Sequence, residues 1–125
     1  MEAKDLMIDD WVACEGKNGK VKELREHKLS LKTENSVMIV YYNNVEPIPI
    51  TSEILEKNGF VTNRYGEIEL NDELGTSETN IVLEPTYSEE YYWWRINNNL
   101  IVKIKYVHEL QHILKLVGIK KEVKL

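Results

Sequence analysis

The chain has 125 residues, 42% of them hydrophobic and 30% charged, with a formal net charge of −5. That length accommodates one domain around one core, and no stretch approaches the roughly 18 apolar residues of a membrane span. The acidic balance argues against a dedicated duplex-DNA binder, which needs clustered cations facing the phosphates.

Charge is uneven along the chain: residues 1–50 carry −2, residues 51–99 carry −7 and residues 100–125 carry +4. The lysine-rich end reads as a solvated helix face and edge strand. Cys14 is the single cysteine, so no intrachain disulfide and no multi-cysteine zinc site can form. Met1-Glu2-Ala3-Lys4-Asp5 lacks the basic start and apolar run of a secretory signal. The expectation is a reducing, cytoplasmic setting without membrane association.

The first fifty residues read as short strands and turns. Met7 to Cys14 leads into Glu15-Gly16-Lys17-Asn18-Gly19-Lys20, where Asn-Gly is a turn signal. Lys20-Val21-Lys22-Glu23-Leu24 and Leu29-Ser30-Leu31-Lys32-Thr33 alternate polar and apolar with the period of a half-buried strand. Ser36 to Tyr42 is a denser β-forming run, Asn43-Asn44 turns the chain, and Val45-Glu46-Pro47-Ile48-Pro49-Ile50 is extended because each proline disfavours helix in the residue before it. Five short strands, the Asp10-Trp11-Val12 start and the Gly16 to Gly19 turn predict an SH3-like small β-barrel.

Thr51-Ser52-Glu53 opens a short helix through its hydroxyls and early acid, and Gly59 stops it. Phe60-Val61-Thr62, Glu67 to Leu70, Ile81-Val82-Leu83, Tyr91 to Ile96 and Leu100 to Lys105 are strand candidates, with Asn97-Asn98-Asn99 as a hairpin loop. Residues 71–80 are polar and read as a mobile connection. Val107, Leu110, Leu114 and Val117 form the stripe of a core-facing helix that ends at Gly118, and Ile119 to Leu125 can add a last strand.

The predicted architecture is therefore α+β and a single compact domain over residues 1–125. It consists of an SH3-like barrel subdomain over 1–50 and a subdomain over 51–125 in which an antiparallel sheet is packed by the C-terminal helix.

His108-Glu109-Leu110-Gln111-His112 matches the zinc-protease pattern. Histidines four apart share a helix face and can ligate Zn²⁺, while the glutamate between them activates the bound water. A catalytic zinc also needs a third protein ligand. The position six residues after His112 is Gly118, and Glu122 is the only downstream candidate. With so little chain left for a cleft wall, His108 and His112 are weak metal candidates, and solvated positions on an amphipathic helix are the competing reading for Glu109 and His112.

Glu46-Pro47-Ile48-Pro49-Ile50 followed by Thr51 to Phe60 resembles the "EPIPLT…L…GF" segment of a family of uncharacterised small proteins from gut bacteria and their phages or mobile elements. Lys105 to Gln111 resembles that family's "YVHQLQN" segment, and Asp10-Trp11-Val12 matches its "GNWV" start in part. The resemblance spans almost the whole chain. It implies glutamine and asparagine where this chain has Glu109 and His112, neither able to serve as base and ligand, and it brings no activity with it.

Tyr91-Tyr92-Trp93-Trp94-Arg95 is the densest aromatic run, and a strand would send Tyr91 and Trp93 to one face and Tyr92 and Trp94 to the other. An exposed tryptophan beside Arg95 could stack on a base, a sugar or a peptide side chain, whereas covered faces would make the run core. Trp11 reads as a core or rim residue, Cys14 as a buried inert thiol, His27 as exposed, and Tyr41 and Tyr42 as one ring on each face of a strand.

The function expected from these features is a non-enzymatic binding module from a phage or mobile element, without cofactor or catalytic residues. Tyr92, Trp93, Trp94 and Arg95 are its candidate contacts. A protein partner is favoured over single-stranded nucleic acid, with a homo-oligomer left open. A zinc-dependent hydrolase and a structural or assembly protein are the rivals.

Overall fold

The computed structural model describes residues 1–70, 81–85, 91–96 and 99–125. The chain divides into two compact units, one of residues 1–49 with 106–121 and one of residues 50–105 with 122–125. The predicted α+β class holds, with two antiparallel five-stranded sheets and a C-terminal helix.

In the first unit β1 (Trp11–Cys14), β2 (Lys17–Leu24), β3 (Lys28–Lys32) and β4 (Val37–Tyr41) form a meander, and a 3₁₀ turn at Tyr42–Asn44 leads to β5 (Val45–Pro47). The strand order is β4-β3-β2-β1-β5, so β5 returns to β1 while β4 and β5 lie at opposite edges. The expected barrel is thus not a closed ring of hydrogen-bonded strands among the described residues. Inward positions at every second residue supply the core: Val12, Cys14, Val21, Leu29, Leu31, Val40 and Val45, with Leu6 beside them.

The turn signal at Asn18-Gly19 is a misplacement. The hairpin turns at Glu15 and Gly16, whose φ angles are 51° and 78°, and Cys14 pairs with Lys17 across it. Positive φ at both central residues is the two-residue turn that suits the twist of paired strands. Gly19 lies inside β2 because β3 passes close by: a Cβ there would meet Leu31 Cβ at 3.2 Å and the Lys32 carbonyl oxygen at 3.3 Å.

The C-terminal helix α2 (Val107–Leu116) belongs to this first unit, not to the later strands as the sequence suggested. Val107, Leu110 and Leu114 are buried as the stripe predicts, but so are His108 and Gln111. Its polar residues, described below, tie it to the segment entering β1. The helix begins where Tyr106 bridges to Pro49 and where Val107 N–H donates to the Ile48 carbonyl at 2.8 Å.

In the second unit Thr51 caps α1 (Ser52–Lys57), its hydroxyl accepting from Ile54 N–H at 3.2 Å, and Gly59 leaves the helix with φ 86°. Strands β6 (Phe60–Thr62), β7 (Ile68–Leu70), β8 (Ile81–Pro85), β9 (Tyr92–Ile96) and β10 (Asn99–Ile104) follow in the spatial order β10-β9-β8-β7-β6. Leu55, Phe60, Ile68, Val82, Leu83, Trp94 and Ile104 are buried.

The last strand expected over residues 119–125 is absent, and the segment is held by a side chain instead. Buried Asn58 donates to the Lys124 carbonyl at 2.6 Å and accepts from Lys124 N–H at 2.7 Å, which supplies one rung of backbone pairing without a strand and sets Val123 in the interior. The polar stretch 71–80 and the loop tip at 97–98 lie outside the described residues. No helix among the described residues is long and apolar enough to cross a membrane.

Candidate functional site

Three places in the two units carry chemistry beyond packing. The first is the protease-like pentapeptide on α2, where the fold uses each polar residue structurally. Glu109 Oε1 accepts from Tyr106 N–H at 2.9 Å, satisfying a free donor at the start of its own helix. Gln111 reaches the segment before β1, its Oε1 accepting from Trp11 N–H at 2.8 Å and its Nε2 donating to the Asp9 carbonyl at 2.9 Å.

His112 Nε2 donates to Oδ2 of Asp10 at 2.6 Å. Asp10 is fully buried, and the same oxygen accepts from Met7 N–H at 2.8 Å. Asp10 thus closes a tight turn begun at Met7, with Asp9 at φ 71° between them. Lys22 stays on the surface, and its ammonium beside Asp9 holds that carboxyl below its ordinary value.

His108 stacks on Tyr106 with ring centroids 6.0 Å apart and meets His112 edge to face at 5.6 Å. Burial is the largest influence on His108 and pushes its imidazole below the usual range, against the pull of nearby Glu109 and Asp10. His108, Glu109, His112 and Tyr106 border an open depression of about 530 Å³ with Lys4 and Asp5. Among the described residues no group of three or more His, Cys, Asp or Glu is arranged to hold a metal ion. The pattern is met letter for letter, yet the glutamate is a helix cap and the second histidine's Nε2 faces a carboxylate rather than a shared vertex with His108.

The second place is the aromatic strand β9. Trp94 is 1% exposed and belongs to the core. Tyr92 is half-buried, and Arg95 is held by ion pairs to Glu67 and, at 2.7 Å, to Glu84. Of the four candidate contacts Trp93 alone is on the surface, next to Tyr91, and the two rings lie under lysines: Lys103 is 4.9 Å from the Trp93 centroid and 5.5 Å from that of Tyr91, and Lys105 is 5.3 Å from Tyr91. The alternation predicted for the run is correct, but the run is divided between core, ion pair and lysine-covered surface.

The third place had no motif to announce it. On β4 the side chains of Val37, Ile39 and Tyr41 are 64%, 61% and 60% exposed, while Met38 and Val40 turn inward. Beside them on the same face lie the β3 residues Lys32, Ser30 and Lys28, paired in register with Val37, Ile39 and Tyr41, and Lys20 of β2 continues the row from Lys32. Lys20 also lies 5.1 Å over the half-buried Trp11 ring.

The backbone of this strand is equally open. Thr33 N–H donates to the Ser36 carbonyl at 2.8 Å, which makes that pair a bonded one. In an antiparallel ladder bonded and non-bonded pairs alternate. Leu31–Met38 and Leu29–Val40 are therefore bonded, and the amides and carbonyls of Val37 and Ile39 point away from β3. Among the described residues no strand pairs with β4 on that side.

Cys14 is a buried thiol pushed up by burial, Tyr42 donates its hydroxyl to the Arg25 carbonyl, and His27 is exposed. Comparison with protein-family models, curated proteins and solved structures finds no match to this chain.

Proposed function

We propose that this chain is a non-enzymatic interaction module that takes an extended segment of a protein along the outer edge of β4. One observation carries the reading: three large apolar side chains at alternate positions stand exposed on an edge strand whose outward backbone groups are unpaired. Soluble proteins commonly blunt such an edge with lysine, proline or a bulge, because it templates pairing with another chain. Val37-Met38-Ile39-Val40-Tyr41 has none of these devices within it. Strand addition uses these two resources together, backbone bonds for affinity and alternate side chains for selectivity.

The finer architecture fits the same proposal. We read the first unit as an SH3-like small barrel with its seam open between β4 and β5. The supports are the meander, the 3₁₀ turn before β5, the return of β5 to β1, and the irregular register between Val21 and Glu23 where β2 can bend. The Glu46 to Phe60 and Lys105 to Gln111 segments are the support for assigning the module to a phage or mobile element. The zinc-hydrolase rival is the weaker proposal because its base and second ligand have other occupations, Glu109 at the helix start and His112 on Asp10.

The test is selection of a displayed library of random peptides on immobilised wild-type protein and on Ile39→Lys in parallel. Peptides enriched on the wild type and lost on the variant are expected. Equal enrichment on both proteins, or none on either, would overturn strand addition at β4.

A further inference from the structure

Resting on the β4 reading just given, we infer that the segment this edge takes is an acidic strand with a single apolar residue at its centre, glutamate or aspartate two positions to either side. The argument comes from the rows of the sheet. Val37 is backed by Lys32 and then Lys20, Tyr41 is backed by Lys28, and Ile39 between them is backed by Ser30. The outer face therefore alternates cation, hydroxyl, cation behind a stripe that is apolar throughout. The one acid in the neighbouring part of β2, Glu23, is occupied by Arg25 at 2.8 Å.

A strand added to β4 lies about 10 Å, two strand spacings, from β3. Lysine and glutamate side chains are together long enough to meet over Val37 or Tyr41 at that separation, and the stems of the lysines can lie along the apolar stripe between them. Opposite Ile39 no cation is available, and burial against that side chain favours an apolar residue. An incoming acid at the outer two positions removes like charge from a face that carries Lys28 and Lys32. A basic segment adds to it. A second copy of this chain joined edge to edge would extend the lysine rows of both copies along one face, so charge favours a distinct acidic partner.

Two synthetic seven-residue peptides of alternating β-forming residues decide the matter, one with glutamates two positions either side of a central leucine, the other with lysines in those places. Titrated against labelled wild-type protein at low ionic strength, the acidic peptide is expected to bind at least tenfold more tightly. Its advantage should shrink with salt. Lys28→Glu combined with Lys32→Glu should reverse the preference, and the exposed Ile39→Lys should abolish binding of both. Each variant's circular dichroism and melting profile establishes that it has folded.

Equal binding of both peptides, lost in Ile39→Lys, would overturn the acidic partner and leave strand addition standing. Failure of both peptides, with a dimer in light scattering that Ile39→Lys dissociates, would overturn it in favour of a second copy. Failure of both peptides with a monomer in every variant would sink the acidic partner and the β4 reading together.

Discussion

Asp10 and His112 are 102 residues apart in the chain and 2.6 Å apart in the fold. Asp10 is wholly enclosed, so its carboxylate depends on His112 and on the Met7 amide for the hydrogen bonds that water would otherwise supply. His112→Ala should lower stability by about 1–3 kcal/mol, the usual cost of stranding a buried polar partner. Asp10→Ala should cost more than His112→Ala, because it releases Met7 N–H as well. Urea unfolding of the three proteins checks the order.

Glu109 offers a sharper separation of cap from catalyst. A zinc-bound water needs a carboxylate base, whereas Tyr106 N–H needs an acceptor oxygen, which glutamine also has. Glu109→Gln is expected to leave the melting temperature nearly unchanged, and Glu109→Ala to cost about 1 kcal/mol, as the loss of a helix-start partner does. Thermal melts of the pair would refute the capping role if glutamine proved as damaging as alanine.

His108 predicts a pH dependence with a definite sign. Burial lowers its pKa in the folded chain from the ordinary 6.5, opposed by Glu109, Asp10 and Asp5 and reinforced by His112. Below that ordinary value the unfolded chain binds the proton more readily, so stability rises with pH there. The contribution is whole above the unfolded value and is lost as pH falls through the folded one. Urea midpoints should drop as pH falls below the ordinary imidazole value, and His108→Phe should flatten the drop.

The two glycines flanking the first hairpin should fail in different ways. Gly16→Ala meets no atom within 4 Å but must hold φ near 78°, a strain of about 1–2 kcal/mol. Gly19→Ala has ordinary backbone angles and a Cβ pressed on Leu31 and Lys32, an overpacking of about 1–3 kcal/mol. Removing the contacted Cβ with Leu31→Gly should reduce the penalty of Gly19→Ala and leave that of Gly16→Ala untouched, a double-mutant comparison read from urea midpoints.

Local physics was legible where neighbours in sequence decide the outcome. Thr51 and Gly59 bound α1 as their chemistry dictates, and alternation located β2, β3 and the two faces of β9. It failed where the deciding partner lay elsewhere in the chain. Asn18-Gly19 carries a strong turn dipeptide, yet the twist-compatible angles fall at Glu15 and Gly16, while Gly19 answers to β3. Val123 looks like a strand residue, but Asn58 supplies the pairing.

The helix partner was invisible for the same reason. Val107, Leu110 and Leu114 announce a buried stripe without saying against what, and Gln111, which identifies the partner by holding Asp9 and Trp11, reads in sequence as one more polar position. The exposed side of β4 was part of a dense β-forming run in the sequence, and composition does not reveal that a strand is last in its sheet.

The bridge between Pro49 and Tyr106 sets an order of events during synthesis. Everything from residue 50 to residue 105 must emerge before Tyr106 and α2 can join the first sheet. Until then the nascent meander has its strands but lacks Gln111 and His112, and Asp10 has water in place of its imidazole. At about 5–20 residues per second, the ribosome holds the first unit unfinished for several seconds, with the uncharged edge of β4 already made. A chaperone, or a partner of the kind proposed above, would meet that edge before the unit that bears it is complete.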